Sequence, residues 1–284
     1  MITAADVREK VHTLPSLPTT LVSLGQAVAD ERCTVDRLVA ILAKDPPLSA
    51  TMLRLSNSLA FVGGKEVTEL RMAIQRLGYD AILNLGRTAA IIRSYGNAKH
   101  LDAVKLWQHS VAVGLTAKAI CRLLRRHSME ESAFLGGLLH DIGKIALDRC
   151  FSDLYGPVVE AMEQGETSLA AERRLLGITH QEVGGMVAEY WNFAPLLVEI
   201  IGTHHEPAAG AWLPHLIHLS DLLVRTRIPS CPADEGMAFV LSEDPSFQTV
   251  FAVAKEETDL ERLTFSIDDE LDHAVAFVKL AFQE

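Results

Sequence analysis

Apolar residues recur along most of this chain at the spacing of three and four residues that is typical of amphipathic helices. Leu21, Leu24 and Ala27, for example, share one face of a predicted helix that begins near Thr19. Alternating segments of β-branched residues, which would predict strands, are weak, and glycine and proline mostly separate segments of helical length. The pattern therefore predicts an all-α protein.

Capping and helix-breaking residues set the limits of the predicted helices. Thr34 is a predicted N-cap, Gly177 a predicted C-cap, and Thr179 with Glu182 a predicted capping box. The predicted helices are 4–13, one from 19, one from 35 that ends by 45, one from 48, 70–77, 81–92, one from 104, 130–147, 167–176, 195 to about 205, 213–227 and 269–282.

Length and composition are those of an ordinary globular protein. The chain has 284 residues, of which 49% are hydrophobic and 22% charged, so a substantial core is expected. The Tyr-Gly-Asn segment at residues 95–97 is the predicted boundary between an N-terminal helical subdomain, residues 1–96, and a second helical subdomain, residues 97–284.

Charge and cysteine usage narrow the class of partner and the compartment. The formal net charge of -11 disfavours nucleic-acid binding, which needs a clustered basic surface. The four cysteines are scattered without a C-x-x-C pair, which indicates reduced thiols. The first residues do not resemble a signal peptide, and no uncharged apolar run reaches the length of a membrane span. We therefore expect a soluble, cytoplasmic protein without a membrane contact.

The segment Leu139-His140-Asp141-Ile142 carries the most informative pattern for chemistry. An adjacent His and Asp within an apolar helical segment is unusual, because charged groups are seldom buried without a partner or a metal. Neutral imidazole and carboxylate are natural ligands of divalent transition metals. Taken alone, the dipeptide is explained as well by an N-cap aspartate or a hydrogen-bonded core histidine as by a metal site. Two glycines that precede it, residues 136 and 137, suggest that a neighbouring backbone approaches closely.

A second candidate ligand, His109, continues the apolar stripe of Val113, Ala117 and Ile120, so its side chain is predicted to face the core. The alternative is a satisfied core histidine. His180 falls in the first turn of its predicted helix, where a ligand could reach inward. A surface position at the helix cap is the alternative there.

The remaining candidates are two histidines at a helix end and one aspartate on an apolar face. His204 and His205 precede Pro207 and could be either ligands or a polar helix terminus. Asp221 lies on the predicted helix 213–227 and demands a partner, which could be a metal or Arg225 four residues later. The other histidines are interpreted as surface or incidental, with His218 the doubtful member because it shares the face of Asp221.

In this order the candidates resemble the metal site of the HD superfamily of metal-dependent phosphohydrolases. The whole chain more closely resembles an HDOD protein, the HD-related output domain of bacterial signalling. The resemblance covers roughly residues 1 to 225, and its motifs are Leu14-Pro15-Ser16-Leu17-Pro18, Asp45-Pro46-Pro47-Leu48, Leu53-Arg54-Leu55-Ser56-Asn57-Ser58, Ala73-Ile74-Gln75-Arg76-Leu77-Gly78, Trp107-Gln108-His109-Ser110, Leu139-His140-Asp141-Ile142-Gly143-Lys144, His180-Gln181-Glu182-Val183-Gly184 and His204-His205-Glu206-Pro207.

The resemblance implies an HDOD-type multi-helix bundle and a centre for one or two divalent transition metals, with iron, manganese, zinc and nickel all open. By similarity to cyclic-di-GMP phosphodiesterases with an HD-GYP motif, two ligand groups follow, and Asp141 would bridge the two metals. The first metal would be held by His109, His140, Asp141 and Asp221, and the second by His180, His204 and His205.

Two departures argue against a simple transfer of that phosphodiesterase activity. The HD-GYP helix can carry a carboxylate four residues before its first ligand histidine, and this chain has Lys105 there. After the vicinal histidines the family continues toward Gly-Tyr-Pro, whereas this chain continues with Glu206 and Pro207 toward an unrelated segment. The resemblance therefore favours a non-enzymatic regulatory or output protein that acts through a signalling protein partner.

Metal-dependent phosphohydrolysis or phosphodiester hydrolysis is the alternative function, and a di-iron oxygenase is a third. In the hydrolase hypothesis Lys144, one turn after His140, is a catalytic candidate that contacts a substrate phosphate. An ordinary solvated lysine is the other interpretation of this position. The sequence leaves the oligomeric state, the partner and the role of the residues after about 228 open.

Overall fold

The computed structural model describes residues 1–14, 19–60, 67–79, 82, 83, 85, 86, 89, 90, 98–227, 240–252, 268, 272 and 274. Helices and short 3-10 turns make up all of the regular secondary structure of these residues. The prediction of an all-α fold is confirmed. None of the described helices combines the length and the hydropathy that a membrane span needs.

The chain divides into two compact units. The larger unit contains Met1–Pro15 and Asn97–Ala274, and the smaller one contains Ser16–Gly96. The first fifteen residues thus belong with the second half of the chain, whereas the predicted subdomains 1–96 and 97–284 place them with the N-terminal helices. A contact between residues far apart in the sequence is one reason, since the backbone N–H of Ile2 donates to the carbonyl of Leu176 at 2.7 Å.

The smaller unit contains four helices with described bounds, and apolar side chains of these helices contribute to its core. Thr34 caps the second of them, because its hydroxyl accepts the backbone N–H of Arg37 at 3.2 Å. Leu24, Leu38, Leu48 and Met52 are fully buried. The helices are α2 (Thr19–Val28), α3 (Val35–Leu42), α4 (Pro46–Ala60) and α5 (Leu70–Leu77).

The larger unit begins with α1 (Ala4–Val11), which is shorter than the predicted 4–13 and is closed at its N-terminus by a capping box of Thr3 and Asp6. Its other helices are α6 (Ala103–Leu123), α7 (Glu130–Leu139), α8 (Ile142–Cys150), α9 (Ser152–Glu163), α10 (Ser168–Leu175), α11 (His180–Tyr190), α12 (Pro195–Thr203), α13 (Trp212–Arg225) and α14 (Pro245–Phe251). Short 3-10 turns lie at His127–Met129 and Leu241–Glu243.

Several predicted helix limits are wrong. The single helix predicted at 130–147 is two helices, α7 and α8, that meet at residues 140 and 141. Helices α9 and α14 were not predicted at all. The predicted helix 269–282 lies largely outside the described residues, as does part of the helix predicted at 81–92.

Helices α6 and α7 pack so closely that their backbones touch. A Cβ atom on Gly137 would lie 2.5 Å from the backbone nitrogen of Gly114, a distance that no real side chain tolerates. Glycine at these two positions is therefore required by the packing, as the sequence suggested for residue 137. The close approach brings His109 of α6 and His140 at the end of α7 together, with ring centroids 5.4 Å apart.

Candidate metal centre

One half of the centre lies where α6 faces α13. His109 is buried on the core side of α6, and its Nε2 lies 3.0 Å from the Oδ1 atom of Asp221 on α13. The same Asp221 oxygen is 3.9 Å from Nε2 of His140. The predicted inward orientation of His109 is confirmed, since only 1% of the residue is exposed.

The His140-Asp141 pair sits at the break between α7 and α8. His140 is the C-cap of α7, and its Nδ1 pairs with the carbonyl of Gly137 at 2.6 Å, which directs Nε2 into the centre. Asp141 is the N-cap residue of α8, with its carboxylate 3.4 Å from Nε2 of His140. The dipeptide is therefore both a helix junction and a pair of inward-facing donors.

The break allows α8 to lie directly against α11. A Cβ atom on Gly143 would lie 1.9 Å from the backbone carbonyl oxygen of His180 and 2.7 Å from the backbone nitrogen of Gly184. No other residue fits at position 143 without moving one of the helices. This contact places His180, the first residue of α11, beside Asp141, and its Nε2 is 3.2 Å from Oδ1 of Asp141.

A buried carboxylate that was not predicted from the sequence orients His180. Oε2 of Glu172 lies 2.7 Å from both the backbone nitrogen and Nδ1 of His180, and Oε1 accepts the hydroxyl of Tyr155 at 3.2 Å. Glu172 is fully buried on α10, which ends where the backbone of Gly177 turns into the left-handed region at φ 81°. A carboxylate on the far nitrogen of a histidine is the arrangement that fixes the ring in metal centres.

His204 and His205 complete the centre at the C-terminal end of α12. Nδ1 of His204 pairs with the carbonyl of Ile201 at 2.8 Å, and the backbone N–H of His205 donates to the side-chain oxygen of Gln181 at 3.1 Å. Nε2 of His205 lies 2.9 Å from Nε2 of His180. His204 is fully buried, whereas His205 is half-buried.

Two groups of potential metal donors result, each within 4.8 Å. One consists of Asp141, His180, His204 and His205, and the other of His109, His140 and Asp141. Asp141 belongs to both groups, with Oδ1 facing His180 and Oδ2 facing His140. Within the described part of the chain, these are the clusters that could hold a metal ion.

Two cations of the chain neutralise the two aspartates of the centre. Nζ of Lys144 is 2.8 Å from Oδ2 of Asp141, and Arg225 binds both oxygens of Asp221, with Nε at 2.9 Å from Oδ1. Burial by itself would raise the pKa of each aspartate, but the neighbouring charges, among them Lys144 and Arg225, hold both pKa values well below 3.8. Both carboxylates are therefore ionised at neutral pH.

Burial also favours the neutral, unprotonated form of three of the histidines. It lowers the pKa of His140, and lowers the pKa of His204 and His205 well below 6.5. For His180, burial acts in the same direction, but Glu172 and Asp141 together outweigh it and the pKa is raised. Neutral imidazole, the form of the first three, is the form that binds a metal.

The donor set fits a divalent transition metal. Imidazole and carboxylate are its usual protein ligands, and the fully buried Nε2 atoms of His140 and His204 have no hydrogen-bond partner among the described residues. A buried polar atom without a partner is costly, and a metal bound beside either nitrogen would satisfy that nitrogen. The chain therefore has a His/Asp cluster that could bind a metal, while the identity of that metal stays a prediction.

The structure brings all seven predicted ligands together: His109, His140, Asp141, His180, His204, His205 and Asp221. Their assignment to a first and a second metal stays a prediction. Lys144 is 5% exposed and bound to Asp141, so the interpretation as a solvated lysine is wrong. His215, interpreted as surface or incidental, is buried and pairs with Ser246 at 2.9 Å. The doubtful His218 contacts the carbonyl of His204 through Nδ1 at 2.8 Å, outside the two donor groups.

Fold and centre together define an all-helical protein with a buried histidine–aspartate cluster of the metal-binding type. The HDOD domain pattern matches residues 14–207, which is more than half of the chain, so the chain belongs to the HDOD domain family. An uncharacterised protein of Treponema pallidum (strain Nichols) is 22% identical over 218 residues. The match covers 75% of this chain but only 40% of that relative.

Three solved structures share the fold over nearly the whole chain. An HDOD domain protein of unknown function from Geobacter sulfurreducens is 23% identical, with a TM-score of 0.83 and coverage of 99% of this chain and 98% of that one. A candidate phosphohydrolase from Shewanella amazonensis SB2B is 24% identical, with a TM-score of 0.77 and 98% coverage of both chains. A candidate signal transduction protein from Marinobacter aquaeolei VT8 is 22% identical, with a TM-score of 0.75, and this chain covers 66% of it. At these identities the likeness establishes the fold alone.

Proposed function

We propose that this chain is a regulatory signalling protein of the HDOD family, whose His/Asp centre binds a divalent transition metal and which acts through a protein partner. The burial of the centre carries the proposal. Six of the seven predicted ligands expose 2% or less of their surface, and only His205 is half-buried. A centre of this kind suits a structural or sensory metal better than a reaction on a phosphodiester, which needs open space beside the metal.

The cations near the centre support the same conclusion. An enzyme for phosphate esters presents positive groups to the substrate oxygens. Here Lys144 is buried against Asp141, and Arg225 is held by Asp221, so both charges already have partners within the chain. When bound, a metal in this centre would tie α8, α11 and α12 together through Asp141, His180, His204 and His205. Metal occupancy would in this way be linked to the packing of the larger unit.

Metal analysis combined with turnover assays tests this function. Protein purified without chelators is expected to contain a divalent transition metal, or to take one up on reconstitution, and His140→Ala with Asp141→Ala is expected to lose it. His127→Ala is the matched control, because His127 is exposed and lies outside the centre. The reconstituted protein is expected to hydrolyse neither bis(4-nitrophenyl) phosphate nor a cyclic dinucleotide faster than the double variant does. Absence of metal from the reconstituted wild type would contradict the proposal.

Metal-dependent phosphohydrolysis is the second candidate, and the position of Asp141 favours it. The two oxygens of this carboxylate face the two donor groups separately, at 3.2 Å from His180 and 3.4 Å from His140, as in centres where a carboxylate bridges two metals. Bound metals would supply a water of lowered pKa as the nucleophile. Turnover that needs His140 and Asp141 and is unaffected by His127→Ala would establish this function in place of the first.

A further inference from the structure

We infer that the centre holds a single metal ion, bound by Asp141, His180, His204 and His205, and that Arg225 closes the half around His109, His140 and Asp221 to a second ion. The inference rests on the proposed function, since it specifies the number and place of the metal in the same centre. It follows from what the chain's own side chains do at each half.

The half at α11 and α12 has four donors ready to bind. Nδ1 of His180 is held by Glu172 and Nδ1 of His204 by the carbonyl of Ile201, so the Nε2 atoms of both rings are presented to the centre. Nε2 of His205 joins them from the side that is partly open to solvent. With one oxygen of Asp141 the set has four donors within 4.8 Å, which is the number that zinc and its neighbours take in protein sites.

Among the described residues, the half at α6 and α13 has three donors within the same distance, and its fourth candidate, Asp221, is engaged by Arg225. Asp221 receives Nε of Arg225 on one oxygen and a second guanidinium nitrogen on the other. This two-point pairing is the strongest contact a carboxylate makes with a side chain. A metal placed against Asp221 would have to displace the guanidinium or bind beside it, and both ions would carry positive charge.

The balance of buried charge favours the same stoichiometry. Three carboxylates surround the centre, those of Asp141, Glu172 and Asp221, and two cations, Lys144 and Arg225, oppose them. These three carboxylates and two cations together carry one net negative charge. A single divalent ion changes the net charge to one positive, whereas two ions would leave three positive charges in a region of low dielectric constant. The cations of the chain thus take the place that a second ion would need.

Equilibrium dialysis against Mn²⁺ or Zn²⁺, followed by elemental analysis, measures the stoichiometry directly. The wild type is expected to bind one equivalent per chain. Arg225→Met removes the charge but keeps most of the side-chain volume, and it is expected to bind close to two equivalents. Arg227→Met is the matched control, because Arg227 pairs with Asp268 away from the centre, and it is expected to stay at one.

Arg225→Met leaves Asp221 buried without its partner and can therefore unfold the protein. A second variant tests the same half without creating an unpaired carboxylate. In Asp221→Asn the carboxylate itself is removed, and the protein is still expected to bind one equivalent with little change in affinity. His204→Ala is expected to weaken binding by roughly 100-fold or more, since even residues behind the ligands cost 10–100-fold. Far-UV circular dichroism of the metal-free variants checks that each is folded.

Each outcome decides the inference. Two equivalents in the wild type, or a fall from two to one in Asp221→Asn, would overturn the single-ion assignment and leave the proposed function standing. One equivalent in a folded Arg225→Met variant would overturn the role of Arg225. No metal in any reconstituted variant would overturn the proposed function, and the inference with it.

Discussion

The two halves of the centre contain the same kinds of residue but differ in what lies behind them. Around His180 and His204 the far ring nitrogens are occupied by Glu172 and a backbone carbonyl, and the donor atoms of the two rings lie within 4.8 Å of each other. Around His109 the near nitrogen faces Asp221, which in turn is held by Arg225. The half around His180 has donors that could bind a cation, whereas the half around His109 already contains a cation, the guanidinium group of Arg225.

This difference shows that a list of ligand residue types does not by itself define a metal site. The partner of each donor decides whether the donor is available. Asp141 makes the comparison most sharply, because one of its oxygens faces His180 while the other is bound by Lys144. Substitutions can therefore alter the two halves separately, or alter Asp141, the residue that they share.

The largest effect is expected from Asp141→Asn, which changes the residue common to both halves. Metal binding should be lost, and the metal-free protein should be destabilised by about 3–5 kcal/mol, because Lys144 is left buried without an opposing charge. Urea unfolding in the presence of a chelator measures the second effect. The double variant Asp141→Asn with Lys144→Met should recover stability without recovering the metal.

The control for this prediction is Asp153→Asn, since Asp153 pairs with Lys99 at the surface, where ion pairs contribute little. Its stability should be nearly that of the wild type. A double variant no more stable than Asp141→Asn would show that the Lys144 charge is not the cause of the destabilisation.

A somewhat smaller effect is expected from Gly143→Ala, which moves Asp141, the residue shared by both halves, away from His180. The new methyl group would collide with the backbone carbonyl of His180, so α8 and α11 must separate, at a cost of about 3 kcal/mol. The affinity for the metal should fall as well, because Asp141 and His180 lie on opposite sides of this contact. Thermal unfolding and metal titration are the measurements.

Gly202→Ala provides the matched control for the glycine prediction. Gly202 lies on α12, two residues before His204, and an added methyl group there meets only an ordinary contact with Gly185 at 3.7 Å. This variant should retain or slightly increase stability, since alanine favours the helix. Equal losses in both variants would mean that the close approach at Gly143 is not what holds the centre together.

The sequence predicted the residues of the cluster better than it predicted their partners. His140 and Asp141 stand out because polar residues in an apolar segment need a reason, and this signal is local. Glu172 gives a much weaker signal, because two arginines follow it directly and suggest a solvated helix face; only its spacing of four residues from the buried Leu176 points inward. For Asp221, the sequence left a metal and Arg225 as equal alternatives, since the helical spacing fits both.

The fold shows the same limit of prediction from local sequence patterns. The all-α class and most helices of the described residues follow from hydrophobic spacing, but the break between α7 and α8 does not. No proline or glycine marks residues 140 and 141, and the glycine that follows at 143 matters because of α11, which is distant in sequence. Contacts of this kind are decided by tertiary packing, which a local pattern does not contain.

Glu172→Gln is expected to weaken only the half at α11 and α12. Loss of the carboxylate behind His180 should lower metal affinity by about 10–100-fold, because the ring loses the charge that fixes it and strengthens it as a ligand. Competition with a chromophoric zinc chelator measures the change. Tyr155→Phe, which removes only the hydroxyl bound to the other oxygen of Glu172, should have a much smaller effect. An unchanged affinity in Glu172→Gln would show that the Glu172 carboxylate does not orient His180 for metal binding.

The smallest effect is expected from Glu182→Gln at the N-terminus of α11. Glu182 accepts the backbone N–H of Thr179 at 2.8 Å; glutamine keeps an acceptor but loses the negative charge at the helix N-terminus, which should reduce stability by about 1 kcal/mol or less. Burial raises the pKa of Glu182, but the hydrogen bonds from Thr179 outweigh it, so the pKa lies below 4.5. The contribution is therefore present above pH 4.5, and the difference between variant and wild type should vanish as the pH falls further. Asp6→Asn removes the charge of the equivalent cap on α1, a helix that carries no candidate ligand, and is the control. Urea unfolding as a function of pH should show a similar trend for both variants, whereas metal affinity should fall only in Glu182→Gln, because only α11 carries His180.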